Sequence, residues 1–86
     1  MKRRLCSYDM VEVPQHAFVL TDSGGEMYFC DLRCLCVWSV QLATRPNLSE
    51  LQRSGTYLLK TEIGEEHQFK GVRSVARWAA DAALRS

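Results

Sequence analysis

The sequence predicts a single α+β domain over residues 1–86, and three observations carry that expectation. Strand-forming runs alternate with helical patterns, and no internal repeat, low-complexity tract or long linker interrupts them. The composition, 47% hydrophobic and 24% charged, is that of a folded chain rather than a disordered one. A chain of 86 residues also buries only about two-thirds of its unfolded surface, so its fold calls for a staple.

The elements follow in order. Residues 5–10 form a short, turn-like knuckle. Residues 16–21 are rich in strand formers, Asp22-Ser-Gly-Gly25 is a strong turn signal, and residues 26–30 return as the second strand of a hairpin. Asp31 is placed to cap a helix over residues 32–43, its carboxylate accepting from the free N–H groups of the first turn. Pro46 ends that helix. Its apolar residues run nearly all the way round, relieved only by Arg33, Ser39 and Gln41. Such a helix is either central to the fold or part of a homodimer interface.

Residues 47–86 then read as helix, hairpin and helix. Asn47 with Glu50 resembles a capping box, and Gly55 fits the stop of the short helix it opens. Tyr57, Leu59, Thr61 and Ile63 alternate with Leu58, Lys60 and Glu62 in a strand with one apolar face, Gly64-Glu65-Glu66 turns the chain, and residues 67–70 pair back. A last helix over residues 71–84 sets Val72, Val75, Ala76, Ala79, Ala82 and Ala83 along one stripe.

Charge excludes some functions and leaves others open. The formal net charge of +1 is too small for binding nucleic acid by overall basicity, so any such binding needs a local patch. No apolar run approaches the ~20 residues that span a bilayer, and Ser7, Asp9 and Glu12 interrupt the apolar core that a signal peptide would need after Lys2-Arg3-Arg4. A cytoplasmic protein is expected. In that reducing compartment, clustered cysteines point to metal binding or thiol chemistry rather than disulfides.

Cys30 and Cys34 bracket the start of the helix over residues 32–43, where the free N–H groups and the positive helix end favour thiolates. Cys6 would reach them from the knuckle once the hairpin forms. Three ligands from two distant segments, joined by a hairpin and a helix, make the skeleton of a treble-clef zinc finger. The pattern Cys6-x23-Cys30-x3-Cys34, with Tyr28-Phe29 before Cys30 and Leu35 after Cys34, resembles the TRASH/MYM/YHS group of treble-clef domains. The resemblance covers residues 5–43 and implies a zinc or heavy-metal site used in metal sensing, metal handling or macromolecular contacts. It departs from the group at the knuckle. There the relatives carry a second Cys near position 9 followed by Gly, and this chain has Asp9-Met10.

The fourth ligand is therefore open. Asp9 occupies the knuckle position, and carboxylate oxygen is a common zinc ligand. His16 offers an imidazole at the start of the hairpin. Cys36 lies two residues beyond Cys34, about 200° round the helix from it, and packs more naturally as a small hydrophobe; water could also complete the site. Against metal ligation, Asp9 can serve only to cap a turn. Arg33 and Lys2-Arg3-Arg4 could offset the negative charge of a zinc–thiolate centre, or simply be solvated.

No catalytic constellation is present: there is no phosphate loop, no nucleophile elbow and no His-Glu-x-x-His, so the chain reads as a non-enzyme. His67 lies in a glutamate-rich turn and reads as a solvated histidine. Lys70, Arg73, Arg77 and Arg85 give the last helix a basic side, although Asp81 lies i,i+4 from both Arg77 and Arg85. Trp38 and Trp78 read as core or interface anchors. The leading expectation is a zinc-stabilised module that contacts protein or nucleic acid. The alternatives are a zinc or copper sensor or carrier using Cys30, Cys34 and Cys36, and a thiol redox switch.

Overall fold

The computed structural model describes residues 4–13 and 17–85. Along these the elements are β1 (Phe18–Asp22), β2 (Gly25–Phe29), α1 (Leu32–Ala43), α2 (Glu50–Ser54), β3 (Thr56–Lys60), β4 (Glu66–Lys70) and α3 (Val72–Arg85). The two hairpins share one antiparallel sheet in the order β2-β1-β3-β4. The join is the β1–β3 pairing, which sets Leu20 opposite Leu59. Both side chains are completely buried, and burying each contributes about 1.5–3 kcal/mol.

Register and period two divide the sheet into faces. Phe18 opposes Phe29, Leu20 opposes Met27 and Leu59, and Tyr57 opposes Phe69. These residues form one core with Leu35 and Leu42 of α1 and Val72, Val75 and Ala79 of α3. The intervening positions, Val19, Tyr28, Leu58 and Lys60, line the opposite, open face. The result is a small α+β structure with a four-stranded antiparallel sheet and its helices packed against one face.

Helix α1 is buried within the chain at Cys34, Leu35, Ser39 and Leu42, and of its large apolar residues only Val40 stands out, at 39% exposure. Trp38 and Trp78 are half-buried anchors: the Trp38 ring packs 5.1 Å from Phe29, and Trp78 packs 5.0 Å from His67. His67 is therefore not a freely solvated turn residue. It sits in β4 among Phe69 and Trp78, 3.7 Å from the Glu65 carboxylate.

Three expected boundaries move by two residues or more, and those of β2, β4 and α3 by one. β1 begins at Phe18 within the described residues, not at residue 16. The capping box of α2 is Ser49 with Gln52, not Asn47 with Glu50: the Ser49 hydroxyl accepts from the Gln52 N–H and the Gln52 side chain accepts from the Ser49 N–H. Buried Leu48 anchors the chain just before the cap, so the helix starts later than the Asn47 signal implied. β3 stops at Lys60 instead of running to Ile63, because Thr61 closes a turn in which its N–H donates to the Glu65 carbonyl and its hydroxyl accepts from the Glu65 N–H. Ile63 is left at the turn, 75% exposed.

Candidate metal centre

The knuckle is a small looped ladder over residues 4–13. Leu5 bridges Glu12, the Cys6 N–H donates to the Val11 carbonyl at 2.8 Å, and the Met10 N–H donates to the Cys6 carbonyl at 2.9 Å. Closing so tight a loop puts Met10 at φ 62°, the left-handed region that costs a residue with a Cβ about 1–2 kcal/mol. Among the described residues it is the one non-glycine at positive φ.

The loop lies along the outer edge of β2. Cys6 bridges Tyr28 in parallel, the Ser7 N–H donates to the Tyr28 carbonyl at 2.7 Å, and the Arg4 guanidinium stands 5.2 Å over the Tyr28 ring. This pairing, rather than the closing of the hairpin alone, sets Cys6 level with the end of β2. Two residues past Tyr28 the chain reaches Cys30. Asp31 then caps α1, its carboxylate accepting from the Cys34 N–H at 2.9 Å, so Cys34 lies in the first turn with its side chain towards the end of the strand.

The outcome is a group of four. One ligand atom from each of Cys6, Asp9, Cys30 and Cys34 lies within 4.8 Å of the others. The Cys30 thiol donates to Asp9 at 3.8 Å, and the Cys34 thiol does so at 3.7 Å. Asp9 serves two purposes at once. Its Oδ1 accepts from the Val11 N–H at 3.0 Å and caps the turn, while Oδ2 reaches Cys34. Burial falls across the group: Cys6 is fully buried, Cys34 buried, Cys30 half-buried and Asp9 exposed. Three thiols and a carboxylate so arranged could hold a metal ion.

The electrostatics suit a cation. The Val11 N–H bond holds the Asp9 carboxyl below its ordinary value, so it is ionised at neutral pH. Desolvation, then the neighbouring Cys6 and the Asp9 charge, pushes the Cys30 thiol up to about 11. Desolvation, Cys6 and the Asp31 carboxylate push Cys34 up to about 12. Crowded thiols therefore keep their protons unless a positive charge stands among them.

The other expected residues fall elsewhere. Cys36 is not in the group; it is half-buried and packs against the core. His16, Lys2 and Arg3 lie outside the described residues. Arg33 is exposed on α1, and Arg4 stacks on Tyr28. Two contributors were missed from sequence, the left-handed Met10 and the Val11 N–H that orients Asp9. The first carried no sequence signal, since methionine does not favour positive φ. No helix among the described residues is long and apolar enough to cross a membrane. No protein-family model, curated protein or solved structure matches the chain.

Proposed function

We propose that this chain is a zinc-stabilised interaction module, in which Cys6, Asp9, Cys30 and Cys34 hold one structural zinc ion and the knuckle, β1–β2 hairpin and α1 form a treble clef of the TRASH/MYM/YHS kind. The observation that carries the reading is the convergence of four ligand atoms within 4.8 Å from the knuckle, the end of β2 and the start of α1. The thiol–carboxylate separations of 3.7–4.0 Å are close to the ~3.5–3.8 Å edges of a tetrahedron with ~2.0–2.3 Å zinc bonds. Ionised Asp9 and poised thiols suit a divalent ion of intermediate softness. The ion would tie the knuckle, the end of β2 and the start of α1 to one another, which is how a small domain gains several kcal/mol or more of folding free energy. No catalytic role belongs to this reading.

One observation favours a second reading, in which the metal is exchanged. Asp9 is exposed and Cys30 half-buried, so one side of the group opens to solvent and offers an entry for a competing ligand. A carrier using Cys36 gains no such support, since Cys36 lies outside the group.

The test is elemental analysis of protein purified without added metal, combined with circular dichroism during chelation. One zinc per chain, lost together with folded structure, is the expected result. Zinc lost rapidly with the fold intact favours exchange. A well-folded, fully reduced protein with no metal refutes the structural-zinc reading, and failure of that protein to take up added zinc refutes exchange as well.

A further inference from the structure

We infer that the corner where α2 ends and α3 begins binds the sugar–phosphate backbone of a nucleic acid. This inference rests on the interaction-module reading and names its partner. The net charge of +1 conceals a separation of charge. Glu62, Glu65 and Glu66 sit at the turn end of the β3–β4 hairpin, whereas Lys70 pairs with Thr56 at its other end, about 14 Å away. On the open face Arg4 and Lys60 are matched by Glu26 and Glu66. The corner has no such balance. Arg53, Lys70, Arg73 and Arg77 are all exposed, and no carboxylate pairs with them among the described residues. Asp81, which the i,i+4 spacing also offered to Arg77, is held by Arg85 at 2.9 Å. Glu50 lies in the first turn of α2, where the helix end stabilises it.

The backbone brings these cations together. The Gly71 N–H donates to the Gly55 carbonyl at 2.7 Å, and a Cβ on Gly71, at φ 83°, would collide with the Arg53 carbonyl. Arg53, Lys70 and Arg73 thus flank one close contact, and Arg77 follows Arg73 by one helical turn. Three of the four are arginines, whose planar forks match phosphate oxygens. None of the exposed large apolar side chains comes from residues 45–57 or 64–83, which argues against insertion into a lipid surface. With no exposed aromatic side chain at the corner either, contact is to the backbone and independent of base sequence.

The experiment is fluorescence anisotropy of a labelled mixed-sequence DNA duplex against salt, using protein whose zinc content is measured in the same sample. Four phosphate contacts predict a slope of log K on log salt near −3.6, so affinity falls about 150-fold between ~50 and ~200 mM salt. The Arg73→Gln/Arg77→Gln variant should halve the slope and reduce that loss to about 12-fold. If that variant fails to fold, Arg53→Gln/Lys70→Gln serves with the same expectation. Undetectable binding at ~50 mM salt, an unchanged slope in the folded variant, or tighter binding to poly-glutamate than to duplex overturns the inference. Zinc-loaded protein that ignores the duplex sinks this inference alone. Folded, zinc-free protein that binds with the expected slope sinks the zinc reading alone.

Discussion

Replacing Asp9 separates two roles that its carboxylate combines. Oδ1 caps the knuckle by accepting from Val11, and Oδ2 faces Cys34. Asp9→Asn keeps an acceptor for the Val11 N–H and removes the charge, so the turn should survive while the metal loses an anionic ligand. Asp9→Ala removes both. Spread evenly over four ligands, the affinity of a structural zinc site amounts to roughly two to three orders of magnitude per ligand. Asn can still offer a weaker carbonyl oxygen, so its loss should lie at the lower end, about 100-fold, with Asp9→Ala nearer 1,000-fold. Cys36→Ser should change zinc affinity less than about threefold, because Cys36 lies outside the group and a serine there disturbs only local packing. Competition against a chromophoric chelator at fixed pH measures all three variants. Wild-type affinity in Asp9→Asn would show that the carboxylate only caps a turn. A Cys36→Ser loss as large as that of Asp9→Ala would refute the ligand set itself.

Further outcomes follow from the same geometry. Cys30 and Cys34, raised to about 11 and about 12, are protonated at neutral pH, so each ion bound must expel at least their two protons. Apparent zinc affinity should then rise at least about 100-fold per pH unit near neutrality, measured by the same competition at several pH values. Without metal the sign reverses for stability. Because the folded thiols sit above the ordinary value of 9.0, their contribution is fully present below that value and is lost as pH rises through the folded values, which urea titration of the metal-free protein would follow. Met10→Gly should stabilise the protein by about 0.5–1 kcal/mol, since relief of the left-handed strain exceeds the added freedom of the unfolded chain, and a lower denaturation midpoint would contradict that. Ser49→Ala should cost about 1 kcal/mol and Asn47→Ala under about 0.5 kcal/mol, in a thermal melt, because only Ser49 caps α2.

How far the sequence could be read depended on whether a signal was local. Asp31 and the apolar run after it marked α1 at its observed bounds, because a cap and a helical stripe are written within a few residues. The sheet order was not legible. Both hairpins have their own turns, but the pairing of Leu20 with Leu59 joins segments far apart in the chain, and no turn residue encodes it. The same holds for Cys6, whose approach to Cys30 depends on a parallel bridge to Tyr28. Asn47 misplaced the cap of α2 by two residues, because Asn and Ser are equally good caps and the Asn47–Glu50 spacing imitates the box that Ser49 and Gln52 form. At the metal centre the residue types and spacings named the candidates. They could not say where the Asp9 side chain points, since that follows from its bond to Val11 and from a strained Met10 that sequence preferences would not have placed at positive φ.

The central claim is that Cys6, Asp9, Cys30 and Cys34 are the ligands of one ion. X-ray absorption at the zinc edge of the loaded protein reads that ligand set directly. Three sulfur neighbours near ~2.3 Å and one oxygen near ~2.0 Å are predicted. A shell of four sulfurs, or one dominated by nitrogen and oxygen, would contradict it.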